Sequence, residues 1–294
     1  MTVEEDIHST PEVLRRVLAT MDVDRWRNLV GAPAVFLGSG SSYCVGLAAA
    51  SLYEDAAGAP AQAILPSEYR PRPDWLHIAI SRTGQTTELI RAMREARSNG
   101  ARVLLLAGEH GSPAESLADN TLALPFAAES AVVQTRFITA GLLALRRLLT
   151  DDDLNGLPDA VDRSLAHVPS LDRSHIVFLG RRWRHGLACS AALTVQESAL
   201  VVPESHQTLD YRHGPIACAD DRTQIWCFDP ESDPEASDVL TEAAATGASV
   251  HRASDDPIVS LVQAQLAAVQ LAASRGLDPR APRNLSRAVV LPGN

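Results

Sequence analysis

The residues best suited to chemistry fall in three places along the 294-residue sequence. The first is Ser81-Arg82-Thr83-Gly84-Gln85-Thr86-Thr87, which follows the apolar run Leu76 to Ile80 and precedes a helical pattern at Glu88, Leu89, Ile90, Met93 and Ala96. A strand, a tight turn and a helix start in that order leave first-turn N–H groups without partners. The helix dipole also gives that end a partial positive charge. The hydroxyls of Ser81, Thr83, Thr86 and Thr87, with the fixed cation of Arg82, make a cradle for the anionic group of a small metabolite, typically a phosphate. The same residues also suit a plain strand followed by a capped helix, because Ser and Thr cap helices anywhere. The second place is Gly38-Ser39-Gly40-Ser41-Ser42, another strand-to-helix turn open to an anion or a sugar hydroxyl.

The third is a pair distant in sequence, Glu197 near a helix end and His213 just before Gly214-Pro215. The Gly-Pro pair fixes a turn that presents an imidazole to a cleft. A carboxylate and a histidine meet the needs of an aldose–ketose interconversion. One group opens the sugar ring by moving protons at its oxygens, and the carboxylate then carries a proton between two neighbouring carbons through an enediol. That chemistry calls for no metal and no cofactor, and none is expected. Taken alone, Glu197 also reads as a surface or capping residue and His213 as a turn histidine.

Alternating strands and helices must position these groups. The pattern predicts a helix over about Glu4 to Leu29 and a strand at Val35 to Gly38. A small-residue helix over Cys44 to Tyr53 and a strand over Ala61 to Leu65 follow. The strand at Leu76 feeds the first cradle, whose helix stops at Asn99-Gly100. Beyond it come a strand at Val103 to Ala107, a short helix at Pro113 to Leu117, a strand at Leu122 to Pro125 and a long helix over Val132 to Leu149. Such alternation implies a parallel sheet covered on both faces.

The acidic stretch Asp151 to Gly156 marks a boundary, giving expected domains at 1–154 and 155–294. Past it, Val177-Phe178-Leu179-Gly180 repeats Val35-Phe36-Leu37-Gly38, and Gly247-Ala248-Ser249-Val250 echoes Gly100-Ala101-Arg102-Val103. A duplicated unit is expected. The second half offers Phe228-Asp229-Pro230-Glu231 where the first has its hydroxyl-rich turn, so only the first should hold an anion. A helix over Pro257 to Ser274 and a tail close the chain.

Composition narrows the rest. The net charge of −10 disfavours nucleic acid, no uninterrupted apolar run is long enough for a membrane, and the acidic N-terminus lacks a secretory pattern. Cys44, Cys189, Cys218 and Cys227 have neither metal-ligand nor redox-motif spacing and read as reduced core thiols of a cytoplasmic protein. All 26 basic residues are arginine, which excludes lysine Schiff bases and the phosphate-loop lysine of nucleotide hydrolases.

The Gly38 to Tyr43 turn, Ser81 to Thr86, Glu129 with Val133-Gln134-Thr135, Gln196-Glu197-Ser198, Arg212 to Pro215 and Pro282-Arg283-Asn284-Leu285 occur in one order across nearly the whole chain. The ordered set resembles the SIS (sugar isomerase) domain family in its two-domain form. That form is shared by the isomerase half of glucosamine-6-phosphate synthase, the fructosamine-6-phosphate deglycases and the tagatose-6-phosphate ketose/aldose isomerases. The resemblance implies two tandem flavodoxin-like αβα sandwiches. It implies that Ser81, Arg82, Thr83 and Thr86 surround a sugar phosphate, that Ser41 and Ser42 assist, and that Val132 and Gln134 line the sugar. Glu197 would be the proton shuttle and His213 the ring opener, contributed across a homodimer with shared sites.

The synthase type carries a tail lysine that forms an imine; Arg287 stands there and stays protonated, leaving it a substrate-binding role. With no glutamine-hydrolysing domain in the sequence either, glucosamine synthesis is not expected. Arg82 stands where the synthase type has glutamine and suits a phosphate or a sulfonate. The expected activity is therefore aldose–ketose isomerisation of a sugar with a terminal anion, or a deglycase or deaminase reaction on an amino sugar. A silent sugar-phosphate sensor is the reading from another class, disfavoured by the presence of both Glu197 and His213.

Overall fold

The computed structural model describes residues 2–28, 30–252 and 256–292. Its first sheet uses β1 (Ala34–Leu37), β2 (Ala61–Ile64), β3 (Leu76–Ser81), β4 (Arg102–Ala107) and β5 (Asn120–Ala123) in the order β2-β1-β3-β4-β5. The second uses β6 (His175–Gly180), β7 (Glu204–Gln207), β8 (Thr223–Cys227) and β9 (Ser249–Arg252) in the order β7-β6-β8-β9. Every ladder in both sheets is parallel. The two orders coincide strand for strand where both exist, so each sheet reverses direction of growth between its first and third strands. In open α/β sheets that crevice is where ligands bind.

The helices are α1 (Val3–His8), α2 (Thr10–Thr20), α3 (Val23–Arg27), α4 (Ser41–Ala57), α5 (Thr87–Ser98), α6 (Arg136–Leu149), α7 (Leu157–Ser164), α8 (Trp183–Ala199), α9 (Pro234–Ala245) and α10 (Pro257–Ser274). Strand residues alternate between faces, and the cores follow that alternation. Phe36, Ile78 and Leu104 from the first sheet and Ile176, Phe178 and Trp226 from the second face a shared core built on α4, α6, α8 and α10. Val35, Ala79 and Leu105 turn the other way, onto Leu89 and Met93 of α5. Val177 and Ile225 do the same onto Val239 and Leu240 of α9. α10 is long and apolar enough for a membrane by composition, yet 67% of it is buried as a core helix.

The halves meet where α4 crosses α8. Gly186 makes the approach close: a Cβ there would lie 2.5 Å from the Ala48 nitrogen. The turns that start these helices share an unusual backbone, φ 56° and ψ −128° at Gly40, φ 49° and ψ −127° at Arg182. Glycine suits that region; Arg182 is held there against its Cβ.

Several elements depart from the sequence reading. The N-terminal helix is three helices, broken at Ser9 and again at Met21-Asp22; its expected end at Leu29 lies outside the described residues. The long helix begins at Arg136, not Val132, because the Glu129 carboxylate accepts the N–H groups of Thr135 and Arg136, both at 2.8 Å, and caps it there. Leu122–Pro125 straddles the end of β5 and a 3-10 turn at Pro125–Ala127. Cys218 is not a core thiol; it ends a surface 3-10 turn and is exposed.

Candidate active site

β3, the central strand, delivers Ser81 to the carboxyl end of the sheet, and the chain must then turn sharply into α5. Ser81 Oγ accepts the Gly84 N–H at 2.9 Å, and Thr83 Oγ1 accepts that of Gln85 at 3.3 Å. Gly84 has φ 63°, and a Cβ on it would stand 2.1 Å from Ser112 Oγ, so only glycine fits both the turn and the space. Thr86 is the N-cap of α5 and its side chain makes no capping bond. The α4 turn arrives from β1, on the other side of the crevice.

Between the turns lies a cavity of about 40 Å³ lined by Ser39, Ser42, Ile80, Ser81, Arg82, Thr83, Thr86, Leu89, Gln134 and Arg287. That is room on the scale of an anionic head group and a water or two. Its wall holds hydroxyls, two guanidinium groups and no carboxylate, with the N-termini of α4 and α5 alongside, so its field favours an anion. Two buried polar atoms on this wall have no hydrogen-bond partner, Arg82 Nε and Gln134 Oε1. Buried polar groups are normally paired, so an unpaired donor and acceptor on one wall point to a ligand.

Arg82 is only 2% exposed. Its Nη1 donates to Ala131 O at 2.7 Å and its Nη2 to Val132 O at 3.2 Å, with the Glu129 carboxylate 3.8 Å away. Arg287 comes from the tail. It donates to Glu129 O at 2.7 Å and pairs with Glu109. The tail is strapped over the start of α5: Thr87 N–H donates to Val289 O at 3.1 Å, and Leu291 N–H to Thr87 Oγ1 at 3.0 Å.

The structure thus brings Ser42, Ser81, Arg82, Thr83, Thr86, Gln134 and Arg287 to one cavity. Ser41 is buried in the first turn of α4 and does not line it, and Val132 stands behind it with its carbonyl on Arg82. Glu197, on the last turn of α8, also lies off the cavity wall. Burial pushes its carboxyl up to about 7, against the pull of the Arg82 cation, which ties it electrically to the site. His213 is exposed, at the end of a 3-10 turn over Leu209–His213, and faces solvent rather than this cavity. Ser39 and Glu129 carry more of the site than the sequence reading gave them. Glu129 was visible there as an acid six residues ahead of Thr135 at a helix start.

In the second half the corresponding turn is filled from within. The Asp229 carboxylate accepts the Arg181 N–H at 2.9 Å and the Thr208 hydroxyl, and Arg252 Nε holds the Asp229 carbonyl at 3.0 Å. A wider cavity of about 770 Å³, lined by Leu171, Leu200, Val201, Leu271 and Arg275 among others, contains none of the expected site residues. Among the described residues no group of three or more His, Cys, Asp or Glu side chains could hold a metal.

The molecule is therefore a two-sheet α/β protein with an anion-favouring crevice at the switch point of its first sheet. Residues 33–150 match the family model of the SIS domain. It is 27% identical over 344 residues to the glutamine–fructose-6-phosphate aminotransferase [isomerizing] of Thermococcus kodakarensis, covering 98% of this chain and 56% of that protein. The Streptomyces coelicolor protein of the same name is 28% identical over 318 residues, with 87% and 51% covered. The chain thus spans about half the length of these relatives. Among solved structures, glucosamine-6-phosphate deaminase from Thermotoga maritima superposes with a TM-score of 0.85 at 24% identity, covering 99% of this chain and 100% of that one. Tagatose-6-phosphate ketose/aldose isomerase from Escherichia coli does so at 0.78 and 17%, covering 99% and 96%. These two likenesses are of fold.

Proposed function

We propose that the protein is an aldose–ketose isomerase for a sugar with a terminal anion, a 6-phosphate in the simplest case. The observation that carries this is Glu197: a partly buried carboxyl whose desolvation pushes it up to about 7, under the influence of the cation that lines the anion cavity. Near neutrality such a group is present in both protonation states, so it accepts a proton from one carbon and returns it to the next. The anion sits against the hydroxyls and N–H groups of the two turns. With the ring open, Glu197 removes the proton at C2 of the aldose and delivers it to C1 through the enediol, while the hydroxyl proton moves between O2 and O1. No atoms are gained or lost.

His213 serves ring opening in this reading and enters the site from a second copy of the chain, consistent with its exposure on one copy. A homodimer follows. The shared strand order of the two sheets and the matching Gly40 and Arg182 turns support an origin by duplication, with halves at 1–154 and 155–294. The names of the aminotransferase relatives make fructose 6-phosphate the first substrate to try, with amino-sugar 6-phosphates next.

The test is NMR in deuterated water with hexose 6-phosphates, their 2-amino and fructosamine forms, and 6-sulfo hexoses. Deuterium entering at C1 or C2 of one compound, and lost in Glu197→Gln, establishes the shuttle and the substrate class. Ammonia or amino-acid release would replace isomerase by deaminase or deglycase. Binding without exchange by any compound would leave a sensor.

A further inference from the structure

The two arginines on the cavity wall are also anchored behind it, in the loop between β5 and α6. Residues 128–135 form neither helix nor strand, so this loop has no backbone ladder to set its shape. Its carbonyls are gripped by side chains. Arg287 holds Glu129 O from Nη2 at 2.7 Å and Nε at 3.3 Å. Arg82 holds Ala131 O and Val132 O at 2.7 and 3.2 Å. Arg136 Nη2 holds Ala128 O, the Glu129 carboxylate accepts the Thr135 N–H, and a backbone tie from Val132 N–H to Arg280 O at 3.2 Å again comes from the tail. The loop then leads to Gln134, whose unpaired Oε1 belongs to the cavity wall.

We propose that Arg82 and Arg287 are positioning residues: gripping the Glu129, Ala131 and Val132 carbonyls while lining the anion cavity, they convert its occupancy into a fixed shape for the 129–134 loop and for Gln134. This rests on the cavity being an anion site. A guanidinium is planar and rigid, so an anion that orients one edge of it orients the other. The free Arg82 Nε supplies the edge toward the ligand, and Nη1 and Nη2 supply the edge toward the loop. Lysine brings an equal charge but a single nitrogen, and cannot bridge an anion and two carbonyls in one plane.

The experiment follows hydrogen exchange at the amides of 129–136 with and without inorganic phosphate, beside thermal shift as the readout of binding. In the wild type, phosphate raises the melting temperature and slows exchange in the loop by about tenfold. In Arg82→Lys, phosphate still raises the melting temperature, but the loop's exchange no longer responds. With the compound that exchanges deuterium, this variant loses kcat by about tenfold or more while KM moves by less than about threefold. Arg287→Lys, at a more exposed position, carries the same comparison if Arg82→Lys fails to fold. Equal loop protection in the lysine variants overturns the proposal, as does phosphate binding to the wild type without loop protection. If phosphate does not stabilise the wild type, the anion-site reading falls as well, and that outcome is distinct from the other two.

Discussion

A Cβ on Gly186 would stand 2.6 Å from the carbonyl oxygen of Cys44, so α8 and α4 touch backbone to backbone. One of these helices carries Glu197 and the other Ser42, and their approach sets how far the carboxyl lies from the cavity. Gly186→Ala forces the helices apart and is expected to lower unfolding free energy by about 1–3 kcal/mol. Urea denaturation measures this. A variant as stable as the wild type would show that the helices separate without cost.

Glu197 makes stability depend on pH in a defined direction. Its folded pKa, about 7, lies above the ordinary value of 4.5, so the native state holds this proton more tightly than the unfolded chain does. The contribution is full below pH 4.5 and is lost as pH rises through 7. It amounts to at most about 3 kcal/mol. Glu197→Gln has no proton to lose, so it should be more stable than the wild type at pH 8 and similar to it at pH 4. Parallel denaturation curves across that range would mean that Glu197 titrates as a surface group.

Glu129 supports both the start of α6 and the Arg82 guanidinium. Glu129→Ala leaves the N–H groups of Thr135 and Arg136 bare and Arg82 without its carboxylate, an expected loss of about 3–5 kcal/mol. Glu129→Gln keeps an acceptor for the cap and should lose clearly less. Chemical denaturation of both variants separates capping from charge, and equal losses would assign the whole effect to charge.

The strap is open to a milder test. Thr87→Val preserves shape but removes the acceptor for the Leu291 N–H, a bond worth about 0.5–1.5 kcal/mol. Limited proteolysis should then cut the 285–292 segment faster, with global unfolding almost unchanged. An unaltered cleavage rate would mean that the Val289 tie alone secures the strap.

How much of this was readable depended on whether a short run of residues determines its own structure. β3, its turn and α5 were legible, because an apolar strand, a φ-positive glycine and turn hydroxyls that accept nearby N–H groups all act within a few positions. β7 was not: Glu204-Ser205-His206-Gln207 is a half-exposed edge strand without apolar alternation. The start of α6 was misplaced because Val132 and Val133 fit a helical period, while the residue that ends the loop, Glu129, acts through its side chain from six positions away. The cavity residues could be named from the turns that contain them. That Arg82 is buried and reaches back to Ala131 and Val132 is a fact of tertiary structure, invisible to any local pattern.

The strap also fixes when in the life of the chain the site comes into being. The cavity wall draws on residues from Ser39 to Arg287, and the tie over α5 needs Leu291. A nascent chain that ends before the tail therefore carries a crevice open on one side. Its closure waits until Arg287 and Leu291 have cleared the ribosome, so a nascent chain that still lacks them does not present the complete cavity.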